Sequence, residues 1–555
     1  MRSTLGLLAP LGATAALAAA TLALPGSPAA AGVAVALPWT PAPLTMVPGS
    51  VEEADIAIAP DGTVVAAIVA WDDPSDTFRV YATTRPPQGT WTAAVPLSEA
   101  STESTEPSIA IGPDGTTTIA WRLAPTEDDM VVQARTRSPG HDWSPVQSLS
   151  QQSTDEYVSG FTNPEVRLAA ASDGTVTAVW PQWVGTSPNE HFEVQGATRS
   201  AAGGWTPAQT LEAREWGYRT PELAAGPDGR VALVYGLAST ADGVFVRTRS
   251  GAGPWSPLKR LGDEYWAGRP EAAYLADGTL GVVWASGYNT PTVATLPPGG
   301  AWTTPRVVSP VKVNTTELHL DAGPTGFVAS WTSDENGSYD DEHVYAAIGG
   351  ATGPWAAQPI ATATSGSPAV TVKDDGTAVV AWLWHAPTTN DDEVQASVRP
   401  PGGGWGPPVT LRDAPVGNNP YAVALAAGPA GSLAGLWIEY DDATDVTRAY
   451  VSVEDPAAPD TGPVKGPKRV EAGKKGRFSF TGPAGATFEC RVDTTRKQQH
   501  GRPAARKRPV PWKACTSPFK VKTKKLKPGK HTVYVRAVQF GLADPTPSAR
   551  KFRVK

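Results

Sequence analysis

The sequence contains little cysteine, methionine, histidine or charge. Its 555 residues include 2 Cys, 3 Met and 7 His, and charged residues make up 18%. Two cysteines exclude a disulfide-dense scaffold, a zinc ribbon and an iron–sulfur protein. The scattered histidines match no metal-binding spacing, and the chain has neither a phosphate-cradling glycine loop nor a nucleophile elbow. We therefore predict no metal and no cofactor, although a Ser-His-Asp set assembled in space stays open.

Long apolar runs are also absent, except for one at the start of the chain. A basic start is followed by an apolar run through Leu24 and by small residues through Ala31. This pattern predicts a secretory signal peptide over residues 1–31, cut after Ala31. An uncleaved anchor is the alternative, but Pro10 and Gly12 interrupt the run. We expect a secreted protein without a membrane span, either extracellular or associated with the cell envelope.

Glycine and proline are abundant, at 55 residues each, which favours short strands joined by turns. A unit of about 50 residues recurs through the first 455 positions. Its first half holds an Asp-Gly pair between two apolar runs, a strong hairpin signal in which the Asp is a turn residue. The pairs begin at Asp61, Asp114, Asp173, Asp228, Asp277 and Asp375. Degenerate copies keep only Gly326 and Gly431.

Tryptophans mark two further positions of the unit. One set ends the second strand of each unit, and another opens the fourth strand. The first set is Trp71, Trp121, Trp180, Trp284, Trp331, Trp382 and Trp437, and the second is Trp39, Trp91, Trp143, Trp205, Trp255, Trp302, Trp355 and Trp405. Because both sets repeat, packing between units explains them. Four short strands in about 50 residues are typical of a propeller blade.

The ends of the repeat region indicate a closed ring. The last unit lacks its closing Trp segment, and the missing piece stands near the start as Trp39-Thr-Pro-Ala-Pro-Leu44. The fold class is therefore all-β: an eight-bladed β-propeller over residues 32–455, with its last blade completed by the N-terminal strand. Seven blades follow if residues 317–360 are an insertion, and an open solenoid is the third alternative.

The turn before the fourth strand resembles the Asp-box turn of sialidase-type propellers. Ser250-Gly-Ala-Gly-Pro-Trp255 keeps the glycines and the Trp but lacks the characteristic Asp. This resemblance implies the propeller fold and says little about activity.

If we name the four strands of a blade a to d, the b–c and d–a connections share one face, which we call the binding face. Acidic runs and aromatic residues fall in these connections, and this combination suits a saccharide or a protein ligand. The candidate ligand-binding residues are Trp183, Trp216, Tyr265, Trp266, Trp384, Asp391 and Asp392. Solvated loops are the plainer interpretation. Ca²⁺ is a further alternative, although no run has a calcium-loop spacing.

A sialidase-type glycoside hydrolase is the catalytic alternative to a binding protein without catalytic residues. The string Tyr218-Arg-Thr-Pro221 is similar to the arginine-containing motif of that family. The resemblance implies that Arg219 and Arg269 bind an acidic sugar, with Tyr218 and Glu215 as the reacting residues. However, sialidase propellers have six blades, and this sequence predicts eight.

The charge changes sign along the chain. Residues 1–460 hold 22 basic and 50 acidic residues, whereas residues 461–555 hold 25 basic and 4 acidic residues. Such a change marks a domain boundary, which we place in a linker over residues 456–463. Strand-like runs over residues 464–555 predict a β-sandwich.

This C-terminal stretch resembles a small immunoglobulin-like module of exported actinobacterial proteins. The matching strings are Phe488-Glu-Cys490-Arg-Val-Asp493, Trp512-Lys-Ala-Cys515 and Gly529-Lys-His-Thr-Val-Tyr-Val-Arg-Ala537. The resemblance implies binding or spacing. With export, Cys490 and Cys515 should form a disulfide.

Basic residues are concentrated in an inserted loop and a lysine-rich turn of this stretch. We predict contact with an anionic cell-envelope polymer through Arg502, Arg506, Lys507, Arg508, Lys524 and Lys525. Nucleic acid is not the expected target, and neutralisation of the acidic propeller is the alternative. The sequence thus predicts a monomeric, non-catalytic adhesion protein, with a structural spacer as the remaining alternative.

Overall fold

The computed structural model describes residues 41–44, 47, 49–100, 102–126, 129–151, 153–154, 165–184, 191–214, 221–237, 243–262, 270–286, 290–309, 315–334, 342–361, 365–385, 392–415, 418–494 and 510–555. The predicted signal peptide lies outside these residues. None of the helices within them is long and apolar enough to cross a membrane.

The acidic part of the chain forms eight antiparallel sheets, or blades, with strands a to d in sequence order. The first half of the ring contains β1 (Ala42–Pro43), which belongs to blade 8; β2 (Val51–Ile58), β3 (Val64–Asp72), β4 (Thr77–Arg85) and β5 (Val95–Pro96) in blade 1; β6 (Glu103–Ile111), β7 (Thr117–Thr126), β8 (Asp129–Arg137), β9 (Gln147–Ser148) and β10 (Ser153–Thr154) in blade 2; β11 (Arg167–Ala170), β12 (Val176–Val184), β13 (His191–Arg199) and β14 (Gln209–Arg214) in blade 3; and β15 (Glu222–Ala225), β16 (Arg230–Leu237), β17 (Gly243–Ser250) and β18 (Lys259–Arg260) in blade 4.

The second half of the ring repeats this order. It contains β19 (Glu271–Tyr274), β20 (Leu280–Ser286), β21 (Thr290–Leu296) and β22 (Arg306–Val307) in blade 5; β23 (Thr315–Gly323), β24 (Gly326–Asp334), β25 (Glu342–Gly349) and β26 (Ala356–Pro359) in blade 6; β27 (Ser365–Val372), β28 (Ala378–His385), β29 (Asp392–Arg399) and β30 (Val409–Asp413) in blade 7; and β31 (Asn418–Ala427), β32 (Leu433–Asp441) and β33 (Val446–Glu454) in blade 8. Two 3₁₀ turns, Pro227–Gly229 and Pro429–Gly431, connect strands a and b of blades 4 and 8.

The ring is closed. Each a strand contacts the a strand of the next blade, and β31 of blade 8 contacts β2 of blade 1. The N-terminal strand β1 takes the d position of blade 8, where Ala42 pairs with Val451. An open solenoid is therefore wrong. Seven blades are wrong as well, because β23 to β26 form a complete four-stranded sheet.

The Asp-Gly pairs form the a–b turns, as their sequence predicts. In blade 1 the Asp61 carboxylate accepts the Thr63 N–H at 2.9 Å, while Gly62 has φ 82°. The same contact to the N–H two residues on recurs at Asp114, Asp173, Asp277 and Asp375. A positive φ at the second position explains the glycine. These aspartates are therefore turn residues.

In five blades, a hydroxyl residue directly after the tryptophan that opens the fourth strand holds the c–d turn. In blade 1 the Thr84 N–H donates to Thr92 Oγ1 at 3.1 Å, and the Thr92 N–H donates back to the Thr84 carbonyl at 2.9 Å. The exchange recurs at Ser144, Thr206, Ser256 and Thr303. This pair of bonds explains the Trp-Ser and Trp-Thr dipeptides of the repeat.

The core consists of side chains packed between neighbouring blades. Six b-strand tryptophans are fully buried there: Trp121, Trp180, Trp284, Trp331, Trp382 and Trp437. Trp71 does not belong to this set, because it stands nine residues after its turn glycine, whereas Trp121 stands six after. Ile68 of blade 1 and Tyr235 of blade 4 fill the corresponding position, and both are fully buried.

The basic C-terminal stretch forms two sheets that enclose a separate core. The larger sheet contains β34 (Arg469–Val470), β36 (Thr487–Thr494), β37 (Lys513–Cys515), β39 (Gly529–Gln539), β40 (Leu542–Ala543) and β41 (Ser548–Val554), and the smaller sheet pairs β35 (Lys475–Phe478) with β38 (Phe519–Lys522), followed by a 3₁₀ turn at Thr523–Lys525. Phe478, Val533 and Val535 are fully buried between the sheets. The predicted disulfide joins Cys490 to Cys515. The immunoglobulin-like assignment of this domain stays a prediction.

The linker leaves the propeller on the face opposite the binding face. The Asp455 carboxylate pairs with Arg85 at 2.7 Å and accepts the N–H of Gln88 in a c–d turn at 2.9 Å. Pro456 is buried beside Gly62, which lies in an a–b turn. Because a–b and c–d turns share one end of the ring, the binding face is not covered by the linker.

Candidate functional site

Most of the predicted binding face lies outside the described residues. This applies to the ligand-binding candidates Trp216, Tyr265, Trp266 and Asp391 and to the conditional sialidase residues Glu215, Tyr218, Arg219 and Arg269. Trp183 lies on β12, but its side chain is outside the described part. Trp384 and Asp392 are described, and both belong to blade 7 at its b–c end.

Blade 7 carries a tryptophan, a histidine and two carboxylates at this end of its strands. The half-buried Trp384 packs beside the core cluster shared by blades 6 and 7, and it lies opposite Glu393 in the β28–β29 register. Next to this pair, His385 Nδ1 lies 2.8 Å from Asp392 Oδ1. The His385 side chain is 51% exposed, whereas that of Asp392 is only 12% exposed. Because successive strand residues point to opposite faces, the Trp384–Glu393 pair faces blade 6 and the His385–Asp392 pair faces blade 8 at this end.

Glu393 is fixed by two donors from its own blade. Gln395 Nε2 and Thr410 Oγ1 both donate to Glu393 Oε2 at 2.8 Å. A β-bulge between Val394 and Gln395 brings these side chains together, because it shifts the register of β29 against β30.

Blade 3 repeats this arrangement. Gln195 and Thr210 donate to Glu193 Oε2 at 2.9 Å and 2.7 Å, again at a bulge, and His191 Nε2 lies 3.2 Å from Glu193 Oε1. Burial raises the pKa of Glu193, but the hydrogen bonds from Gln195, Thr210 and His191 outweigh it and lower this pKa. Blades 3 and 7 lie on opposite sides of an eight-bladed ring.

Glu193 and Glu393 were not among the predicted residues, although the sequence contains a signal for both. The string Glu-Val-Gln occurs twice, at Glu193 and Glu393, exactly 200 positions apart, and each copy is followed at the same distance by Trp-x-Pro and a Thr. We treated this stretch only as part of the general repeat.

The a strands carry a second group of polar residues, around the centre of the ring. Each a strand pairs with a neighbour on one side only, so part of its N–H groups lack a strand partner. Carboxylates of the preceding blade accept some of them. Glu53 accepts the Glu106 N–H at 2.5 Å and Asp55 accepts the Ile109 N–H at 2.9 Å. In the second half of the ring, Glu317 and Asp321 accept the N–H groups of Ser367 and Val372 at 2.6 Å and 2.8 Å. These carboxylates are therefore structural.

Burial changes the acidity of this group. It raises the pKa of Glu53 to about 7, with a further contribution from the charge of Glu106. Burial also raises the pKa of Asp321 to about 6 and the pKa of Asp55 above its ordinary value. A carboxyl whose pKa is higher in the folded than in the unfolded state destabilises the fold when it is ionised.

Glu53→Gln together with Asp321→Asn is therefore expected to change the pH dependence of stability. The folded protein binds more protons than the unfolded chain between about pH 4.5 and pH 7, so these two residues make the wild type less stable as pH rises through that window. Relative to wild type, the melting temperature of the double variant should be several degrees higher at about pH 8 and similar at about pH 4.5. A difference that does not vary with pH would contradict the assignment.

Arg167 on β11 is not available to a substrate. Its guanidinium forms ion pairs with Glu165 and, at 2.9 Å, with Glu222 of the next blade. Burial acts to lower the pKa of Arg167, but these two carboxylates outweigh it and raise this pKa, so the group stays charged. A substrate carboxylate would have to compete with these two carboxylates for Arg167.

The centre of the ring is acidic in the described residues. Carboxylates outnumber basic side chains on and beside the a strands. The acidic residues include Glu53, Asp55, Glu106, Glu165, Glu222, Glu271, Glu317 and Asp321, and the basic ones include Arg167 and His319. His319 Nδ1 lies 3.4 Å from Glu271, which raises the pKa of His319 against the opposing effect of burial. No group of three or more His, Cys, Asp or Glu side chains in the described ranges could hold a metal ion.

Comparisons with known proteins return propellers. No protein-family model matches the chain, and no curated protein matches it. Among solved structures, the BP39L lectin from Burkholderia pseudomallei is 12% identical, with a TM-score of 0.42 over 65% of this chain and 98% of the lectin. The β-propeller domain of the Trilobed protease from Pyrococcus furiosus is 12% identical, with a TM-score of 0.37 over 66% and 98%. The Hadza microbial sialidase Hz136 is 10% identical, with a TM-score of 0.31 over 51% and 63%. At these identities the likeness concerns the fold alone.

Proposed function

We propose that this protein is an exported, non-catalytic binding protein whose propeller recognises a glycan on the binding face. The arrangement in blade 7 supports this proposal most directly. Trp384 offers a half-buried ring beside Glu393, and the His385–Asp392 pair adds a further polar group at the same end of the blade. A saccharide needs such a combination, because its C–H faces pack on aromatic rings while its hydroxyls bond to carboxylates and amides.

The basic C-terminal domain has a different role in this proposal, namely contact with an anionic cell-envelope polymer. Its candidates Lys524 and Lys525 are exposed on the 3₁₀ turn after β38. Arg502, Arg506, Lys507 and Arg508 lie outside the described residues. Because the linker leaves the propeller on the opposite face, the C-terminal domain can bind a polymer while the binding face binds its own ligand.

A glycan array with the purified protein tests the proposal, at a salt concentration that screens the basic domain. Trp384→Ala is expected to weaken binding to the best glycan about 10-fold or more, equivalent to about 1.4 kcal/mol, because the ring surface is lost. Trp143→Ala is the matched control: Trp143 is also half-buried, but lies in a c–d turn at the other end of the ring. Trp266→Ala examines the part of the face outside the described residues.

Three outcomes would overturn the glycan proposal. A blank array would leave an extracellular protein as the ligand, or a spacer without a ligand. Equal loss in Trp384→Ala and Trp143→Ala would indicate general destabilisation. Release of an acidic sugar that Arg269→Ala abolishes would establish the sialidase-type alternative.

A further inference from the structure

The outer face of the smaller C-terminal sheet consists of four cations. Lys475 and Arg477 on β35 are exposed, and so are Lys520 and Lys522 on β38, whereas Phe478 and Val521 on the same strands are buried in the core. We call these four side chains the basic sheet face. None of them forms an ion pair or a side-chain hydrogen bond with the residues that the structure describes.

The register places like charges directly opposite each other. Lys475 pairs with Lys522, and Arg477 pairs with Lys520. Directly opposite side chains of an antiparallel pair lie about 5 Å apart at Cβ, and like charges at this distance destabilise the sheet. Repulsion within two such neighbouring pairs therefore destabilises this two-stranded sheet. An anion bound across them would relieve the repulsion.

Like charges also meet in the larger sheet of the same domain, where Lys530 pairs with Arg553, but the cations beside Trp512 differ in their contacts. On its outer face, Arg536 donates to Glu489 at 2.7 Å, and Arg491 lies 3.8 Å from Asp493. Both guanidinium groups also lie 4.5 Å from the centre of the Trp512 ring. Arg491 and Arg536 are thus engaged within the domain, whereas the cations of the basic sheet face are not. Other cations of the larger sheet are exposed, including Lys551 and Arg553 on β41.

We propose that the basic sheet face binds a linear phosphodiester polymer of the cell envelope. This inference rests on the proposed role of the basic domain and assigns that role to named residues. Three of the four cations are lysines, which act as point charges on tetrahedral phosphate groups rather than as planar forks. Along one strand the cations repeat about every 7 Å, and across the two strands about every 5 Å, so successive charges of an extended chain meet a regular array.

The same face argues against a nucleic acid. Proteins that bind single strands combine positive charge with aromatic side chains on which bases stack. The outward positions of β35 and β38 hold only Lys and Arg. Trp512 and Tyr534, the rings of the other sheet, already lie under guanidinium groups. Charge without stacking suits a polymer that has phosphates and no bases.

Lys475→Glu together with Lys520→Glu tests this assignment. Each substitution places a carboxylate opposite a cation, at Lys522 and Arg477, so the sheet should be at least as stable as in the wild type. Binding of the full chain to poly(glycerol phosphate) should nevertheless weaken about 10-fold or more at 0.1 M salt, roughly as for the loss of two phosphate contacts. The slope of log K against log salt concentration should fall by about 2.

The matched control is Lys551→Glu together with Arg553→Glu, which changes the net charge equally on the exposed face of β41 in the larger sheet. This variant should weaken binding less than about threefold, through general charge alone. Equal loss in both variants would overturn the assignment, as would tighter wild-type binding to polygalacturonate or to a single-stranded oligonucleotide. Absence of wild-type binding to all three polymers would instead overturn the proposed role of the whole basic domain, and it would leave the glycan array result untouched.

Discussion

Trp382→Ala is expected to destabilise the propeller by about 3–5 kcal/mol, the usual cost of removing a large buried aromatic side chain. Trp382 is fully buried between blades 7 and 6, where it packs with Val344 and Ala346. Alanine would leave a cavity at an interface whose two walls are strands of different blades and so cannot collapse freely. Thermal and urea unfolding of the variant would measure the loss.

Two variants separate this effect from others. Trp382→Phe should cost less than about 1.5 kcal/mol, because most of the volume is kept and the indole N–H has no described partner to lose. Trp384→Ala changes a half-buried ring on the same strand and should cost clearly less than Trp382→Ala. Equal losses in Trp382→Ala and Trp384→Ala would contradict the described packing.

Arg412→Ala should destabilise the propeller by about 3 kcal/mol or more, because it leaves a buried carboxylate without its partner. The Glu439 side chain is only 1% exposed. Arg412 of blade 7 donates to both of its oxygens at 2.9 Å, and Asn418 Nδ2 adds a third bond at 2.6 Å. Arg412 also lies 4.6 Å from the centre of the Tyr450 ring. Urea unfolding at neutral pH would measure the cost.

An exposed ion pair provides the control for this prediction. Arg448 and Asp441 lie 3.0 Å apart, with side chains 41% and 19% exposed. Arg448→Ala should cost less than about 1 kcal/mol, because water replaces the lost contact. An equal loss of unfolding free energy in Arg412→Ala and Arg448→Ala would contradict the prediction. It would mean that the bidentate pair contributes little and that water reaches Glu439 once Arg412 is removed.

Local sequence signals were sufficient to predict the blades. An Asp-Gly pair fixes a turn by its own backbone preference, so each copy predicts a hairpin without knowledge of the rest of the chain. Counting these pairs together with the degenerate copies at Gly326 and Gly431 gives the eight blades of the propeller. The disulfide was predictable for a similar reason, since the sequence offers only one pair of cysteines.

The assignment of Trp71 shows where this approach fails. We grouped the b-strand tryptophans by residue type, although the distance from the turn decides which side chain enters the core. Counted from the turn glycine, Ile68 rather than Trp71 corresponds to Trp121. The correct assignment needed only that count.

The roles of the central carboxylates were not predictable in this way. Glu53 accepts an N–H from a residue 53 positions later, and Asp321 accepts one from a residue 51 positions later. Such contacts depend on how closely one blade approaches the next, and no local pattern encodes that approach. The ion pairs of Arg167 depend on the same approach. The predicted binding residues outside the described part of the chain stay predictions.

The pairing of β1 with β33 joins two segments that lie far apart in the chain. Ala42 and Val451 are about 400 positions apart, so closing this contact carries a large loop-closure entropy, and we expect it to form late in folding. Before β1 pairs with it, β33 has one free edge, to which a strand of another chain could bind. Contacts over such long separations form slowly. Once formed, this contact joins the two ends of the ring, so every blade has a neighbour on both sides. We therefore expect the eight blades to unfold as one cooperative unit rather than one after another, in contrast to a linear repeat array, whose terminal units can detach independently.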